Sequence, residues 1–215
     1  MEFLRLFIDV FLHLDKHLTE IVNEYHTLTY LILFAIIFAE TGLVIIPFLP
    51  GDSLLFMAGS LCALPGAELN VWYLGGLLFI AAFLGDTVNY AIGKAVGPRA
   101  FSGKLPFLKL EHLQKTEAFF AKYGGKTIIL ARFIPIIRTF APFVAGVGTM
   151  EYRKFITYNL VGAFIWVTAG LGAGYAFGGF EVVKKNFSLV VIAIVLISLL
   201  PILIEAVRAR KSPSA

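Results

Sequence analysis

The sequence predicts an all-α polytopic membrane protein: two opposed re-entrant helical hairpins, three transmembrane helices and an N-terminal amphipathic helix. Three observations predict it. Of 215 residues, 59% are apolar and 15% charged, against roughly 45–50% and about 25% in soluble chains. Mean hydropathy is +0.85. The apolar residues gather into five stretches, at 29–62, 71–94, 127–149, 155–178 and 187–207, two of which are broken by prolines and charges. So little polar surface cannot cover a water-soluble domain, which argues against a soluble enzyme, and the same composition excludes disorder. The single Cys62 excludes an internal disulfide.

Residues 1–28 carry polar side chains at 2, 5, 9, 13, 16, 20 and 24, a helical spacing that draws one polar stripe. Phe3, Leu4, Phe7, Phe11, Leu14, Leu18 and Ile21 fill the other side, which suits a helix lying at the membrane interface. Its acidic bias and lack of a basic start argue against a signal peptide.

Residues 29–207 form the expected membrane domain. Stretches 71–94, 155–178 and 187–207 have the length of ordinary spans, about 20 residues. Stretch 29–62 contains Glu40, Pro47, Pro50, Gly51 and Asp52, and stretch 127–149 contains Arg132, Pro135, Arg138 and Pro142. Mid-stretch charges and prolines argue against simple spans. The loop 98–126 holds six basic and two acidic residues, so it is expected in the cytoplasm. If 127–149 enters and returns on that side, 11 basic residues lie inside and 2 outside; if it spans, 8 lie inside and 5 outside. The hairpin, with a cytoplasmic basic tail at 208–215, satisfies the positive-inside rule better. The turn at Pro47–Gly51 favours a hairpin in 29–62 as well. Each broken stretch ends in small residues and precedes a glycine-rich span, a loose repeat. Two hairpins entering from opposite faces would follow the inverted-repeat plan of secondary transporters.

Chemistry concentrates on the broken stretches. An arginine in hydrocarbon costs about 2.5–3.5 kcal/mol, so Arg132 and Arg138 each require compensation. They sit about 120° apart on a straight helix, and Pro135 between them can make them converge. One reading is a structural ion pair with Glu40 or Asp52, or snorkelling to the headgroups. The other is an anion site, since guanidinium forks match phosphate. Glu40 and Asp52 would lie about 18 Å apart on one helix; a hairpin tip at Pro47–Gly51 brings them together. Asp52 also reads as a helix N-cap, and Glu40 suits a proton acceptor that pairs with an arginine. On 71–94, Asn89 and Tyr90 stand among Gly85, Gly93 and Gly97 and read as polar packing, while Asp86 stays open between packing and a functional role. Gly162, Trp166, Gly170, Gly174 and Gly178 on 155–178 are expected to pack against that first glycine-rich helix. The four histidines offer no metal-ligand spacing, and no nucleophile elbow or P-loop occurs, so neither metal nor cofactor is expected. The net charge of +4 is assigned to lipid headgroups rather than nucleic acid.

Several runs are similar to a known family. Phe38-Ala39-Glu40-Thr41-Gly42 with Pro47-Phe48-Leu49-Pro50-Gly51-Asp52-Ser53 resembles the first signature of the DedA family. Gly85-Asp86, Asn89-Tyr90 and Gly93 resemble the second. Lys122-Tyr123-Gly124-Gly125-Lys126 and the run Ala131 to Pro142 resemble the third. The resemblance covers about residues 30–205. It implies a VTT, or SNARE-associated, domain and a bacterial inner-membrane protein tied to envelope integrity and proton-motive force. Some members return undecaprenyl phosphate to the cytoplasmic leaflet, and eukaryotic relatives are lipid scramblases. The family's acidic pair falls on Glu40 and Asp52, and its arginine pair on Arg132 and Arg138. Asp52 often stands as Glu in the family and reaches one methylene less far.

The expected function is therefore a membrane lipid transporter, not an enzyme. It would move a polyprenyl phosphate with protons, the arginines holding phosphate and the carboxylates taking protons. Half-helix N-termini near Asp52 and Pro142 would assist. Alternatives are a broad phospholipid scramblase, a proton-coupled ion antiporter, a lipid phosphatase lacking a placed nucleophile, and a structural role. The expected partners are lipid and protons, and an oligomer is compatible with the sequence.

Overall fold

The computed structural model describes residues 27–43, 51–64, 69–97, 110–148 and 150–181, together with 67, 99, 183, 190 and 193. The expected N-terminal helix, the basic tail, nearly all of stretch 187–207 and Pro50 lie outside the described residues. Among those described, the ordered structure is entirely helical: α1 (Leu28–Gly42), α2 (Gly51–Cys62), α3 (Val71–Val96), α4 (Leu110–Tyr123), α5 (Thr127–Ala131), α6 (Pro135–Val147) and α7 (Tyr152–Phe177).

Local chemistry sets the ends. Asn70 caps α3, its Oδ1 accepting from the N–H of Trp72 at 2.9 Å and of Tyr73 at 3.3 Å. Gly97 ends α3 at φ +58°, in the left-handed region that suits glycine. Pro135 holds Ile134 extended and starts α6 at its first position. The 127–149 stretch is thus broken, as its prolines imply. α3 and α7 have 26 residues each and are long and apolar enough to cross a membrane; at 1.5 Å per residue each reaches about 39 Å. The expected loop 98–126 also contains α4, whose Leu113 packs with Phe140, Phe143 and Val144 of α6.

Contacts give each helix its direction. Tyr30 meets Asn70 and Gly42 meets Gly85, so α1 runs parallel to α3. Asn159, Phe164 and Leu171 of α7 meet Phe83, Phe79 and Gly75 of α3, so the two long helices are antiparallel. α1 ends level with the middle of α3. α2 begins beside the Glu40 carboxylate and runs parallel to α7, Asp52 by Trp166 and Ser60 by Gly174. α5 and α6 mirror this plan: Ile129 meets Gly162, then Asn89 meets Thr139 and Gly93 meets Phe143. Each short pair goes halfway along the long helices and returns.

The return helices cross over. α2 packs chiefly on α7, and α6 on α3. Glycines allow both approaches. A Cβ on Gly59 would run into the Leu171 carbonyl, and one on Gly146 into the Tyr90 carbonyl. Gly174 and Gly93 face Phe56 and Phe143 in the same way. This corrects one expectation. Gly170 and Gly174 of α7 and Gly178 at its C-terminal cap seat α2 through Leu55, Phe56 and Ser60, not α3. The reason is geometric: glycine lets backbones touch, and along this part of α7 the helix that comes that near is α2. One apolar core surrounds Leu33, Leu55, Leu74 and Leu171; others surround Leu113 and Phe143, and Ile128 and Phe155.

Candidate functional site

Where α1 ends and α2 begins, and where α5 gives way to α6, five charged side chains meet. Arg138, in the first turn of α6, donates from Nη2 to Glu40 Oε1 at 2.5 Å and from Nη1 to Asp52 Oδ1 at 3.0 Å. Arg132, at the end of α5, donates from Nη2 to Asp86 Oδ2 at 2.5 Å and to Asn159 Oδ1 at 2.7 Å. The expected pairing of the arginines with Glu40 or Asp52 thus holds for Arg138. Arg132 instead takes partners from the two long helices. The reason is the antiparallel crossing of α3 and α7, which sets Asp86 and Asn159 side by side.

The arginines share one aromatic neighbour. Their Cζ atoms lie 5.1 Å (Arg138) and 5.8 Å (Arg132) from the centroid of the Trp166 ring, within cation–π range. Trp166 also donates its indole N–H to Asp52 Oδ1 at 2.7 Å. Asn159 is anchored in turn, donating to the Phe83 carbonyl at 3.0 Å and Thr87 Oγ1 at 3.3 Å. Asn159 was not expected; Trp166 was expected in the core or an interface and is buried there, but its bond to Asp52 was not foreseen. Asn159 is neutral and so does not mark the apolar stretch as a charge does. A polar side chain amid α7 was the available signal.

Burial separates the five. Arg132 is 1% exposed and Arg138 7%, whereas the Asp52 side chain is 27% exposed. Asp52 is therefore the open edge of the cluster. Nε and Nη1 of Arg132, Oε2 of Glu40 and Oδ1 of Asp86 are buried without a hydrogen-bond partner among the described residues. Such atoms are costly, about 1–3 kcal/mol each and more for charged groups.

The remaining expected site residues are placed as follows. Asp52 stands in the first turn of α2, inside the helix rather than at its cap. Gly51 opens α2 directly against the Glu40 carboxylate, in the space that a Cβ would occupy. Asn89 donates to the Thr41 carbonyl at 3.1 Å and the Thr139 carbonyl at 2.9 Å, tying α1 and α6 to α3. Tyr90 donates its hydroxyl to the Met150 carbonyl at 2.8 Å and stacks on Phe155. Both side chains join helices and loops through backbone carbonyls. Pro142 does not lie at a half-helix N-terminus: it is inside α6, and Pro135 is the N-terminal residue. Inside the helix it lacks the N–H that would bond to the Arg138 carbonyl, so the ladder is loosened where Arg138 is anchored. Among the described residues there is no group of acidic, His and Cys side chains able to hold a metal.

Comparison with known proteins places this arrangement. A family model described as the VTT domain matches residues 49–176. Protein DedA of Escherichia coli (strain K12) is 50% identical over 213 residues, 99% of this chain and 97% of that protein. An uncharacterised membrane protein of Mycobacterium tuberculosis is 43% identical over 178 residues, 82% of this chain and 78% of that protein. Inner membrane protein YghB of Escherichia coli (strain K12) is 31% identical over 173 residues, 80% and 75% of the two chains. No solved structure matches the chain. With a VTT domain over more than half its length and full-length identity of this order, the chain is a membrane protein of the DedA family.

Proposed function

We propose that the protein carries a polyprenyl phosphate such as undecaprenyl phosphate across the bacterial inner membrane, with protons as counter-charge. The observation that carries the reading is the buried Arg132 guanidinium, whose Nε and Nη1 have no hydrogen-bond partner among the described residues. Such donors call for acceptor oxygens, and a phosphate monoester presents several. Arg138 stands beside the same indole, which puts a second guanidinium in the same cluster.

Helix ends support it. α2 and α6 both begin at the cluster, at Gly51 and Pro135. Helix N-termini favour anions. In the bilayer, α1 with α2 and α5 with α6 would be re-entrant hairpins from opposite faces, their tips meeting at mid-depth. The basic loop 98–126 and the C-terminus would face the cytoplasm. Broken helices around a midplane site are the plan of many secondary transporters.

Charge balance supports protons. Glu40, Asp52 and Asp86 oppose Arg132 and Arg138, three carboxylates against two guanidiniums. Net charge in a low-dielectric interior is expensive. A phosphate adds further negative charge, so protons enter with it. The carboxylates at the tip then yield Arg138 to the phosphate and reclaim it when the protons leave on the other side. No covalent step is needed, and the protein acts as a carrier rather than an enzyme.

The test is transport in proteoliposomes. Labelled polyprenyl phosphate and an ordinary phospholipid are compared with and without a pH gradient. Gradient-dependent movement of the phosphate lipid, lost in Arg138→Ala and Glu40→Gln, is expected. Wild-type rates in both variants would overturn the reading. Gradient-independent movement of ordinary phospholipid would replace it with a scramblase, and ion exchange without lipid movement with an antiporter.

A further inference from the structure

We infer that Trp166 is the positioning residue that lets Asp52 release Arg138 to a phosphate headgroup; this rests on the function proposed above. Asp52 Oδ1 accepts from both Arg138 Nη1 at 3.0 Å and Trp166 Nε1 at 2.7 Å. The Arg138 bond to Glu40 is enclosed, while that to Asp52 lies at the exposed edge. An anion reaching the cluster therefore competes first for Arg138 Nη1.

Stripping an arginine from a carboxylate in an apolar surrounding leaves that oxygen without a donor, a costly state. Here the oxygen keeps the indole N–H. Trp166 can serve in this way because it belongs to neither moving partner. Asp52 is on α2 and Arg138 on α6, whereas Trp166 is on α7, 3% exposed and packed into the core with Leu55 and Leu171. Its ring lies beside both guanidiniums, so Arg138 can shift from carboxylate to phosphate and still face the same π surface. The helix is shaped for this. Gly162 and Gly170, one turn away on either side, leave room for the Arg132 side chain and for Leu55.

The indole is thus a donor held in reserve, and its effect is coupled to Asp52. Removing the N–H makes the exchange costlier, so phosphate binding weakens. Removing the Asp52 carboxylate takes away the competitor, so binding tightens and the N–H no longer matters.

The experiment measures binding of a fluorescent short-chain polyprenyl phosphate to purified full-length protein in detergent, with the matching polyprenol as control. The expected results are a Kd raised about tenfold or more in Trp166→Phe, lowered in Asp52→Ala, and changed less than twofold by Trp166→Phe in the Asp52→Ala background. An equal weakening by Trp166→Phe in both backgrounds, or none in either, overturns the inference while leaving the function standing. If the polyprenol binds as well as the phosphate, or Arg138→Ala binds as wild type, the function itself falls and the inference with it. Should Trp166→Phe not fold, benzothienylalanine at position 166 in a Trp72→Phe background keeps the ring shape and removes only the N–H.

Discussion

Gly59 and Gly146 make the same contact from opposite halves of the chain. Gly59 lies against the α7 backbone at Leu171 and Tyr175, and Gly146 against the α3 backbone at Tyr90 and Lys94. A methyl at either place meets a carbonyl, which cannot move aside as a side chain can. Gly59→Ala and Gly146→Ala should each destabilise by about 1–3 kcal/mol, seen as a lower thermal midpoint in detergent. Gly76→Ala and Gly172→Ala, where a Cβ meets nothing within 4 Å, should leave it unchanged or raise it slightly, since alanine favours a helix by up to about 1 kcal/mol. Equal effects at all four sites would refute close backbone packing as the cause.

Arg138 and Glu40 should separate stability from transport. Removing Arg138 leaves Glu40 buried without its cation, at a cost of about 3–5 kcal/mol. Arg138→Ala should therefore lower the midpoint, and adding Glu40→Gln should recover part of it. Transport should stay absent in both. Transport returning with the second change would make the pair a structural strut.

The Arg132–Asp86 pair poses the opposite question. Asp86→Ala should destabilise by about 3 kcal/mol or more, because Arg132 loses its charge partner. Arg132→Met with Asp86→Leu removes both charges at similar volume and should restore the midpoint. If Arg132 holds phosphate, this stable double variant binds no phosphate lipid. Wild-type affinity in it would confine Arg132 to a packing role.

Proton uptake should accompany loading. Adding polyprenyl phosphate to protein in weakly buffered detergent should raise the bulk pH, by about one proton per lipid. Linkage then requires affinity to rise as pH falls, about tenfold per unit for one proton. Glu40→Gln should reduce the uptake, and flat affinity from pH 6 to 8 would refute the coupling.

Much of this was legible before the structure. Glu40, Asp52, Arg132 and Arg138 each break an apolar stretch, and a charge in such a place announces itself by cost alone. The long helices were legible too, 71–94 against Val71–Val96 and 155–178 against Tyr152–Phe177. Partner choice was not. Asp86 and Asn159 come to Arg132 from helices that cross antiparallel, a relation between segments more than 70 residues apart. Trp166 was hidden for another reason: an aromatic in an apolar helix violates nothing, so its donor role shows only when Asp52 is seen beside it. Pro142 misled, since a proline inside a short helix looks in sequence like a place where one begins.

The crossing of α2 onto α7 and of α6 onto α3 has a consequence for biogenesis. α2 must wait for α7, more than a hundred residues later in synthesis, before its glycine face is covered. The first half thus leaves the ribosome with an unmatched surface and, within it, an unmatched Glu40 and Asp52. Such long-range closure is slow and exposes intermediates. The two halves are interleaved like clasped hands, so neither is a folding unit, and quality control would sense a damaged second half as a misfolded first one.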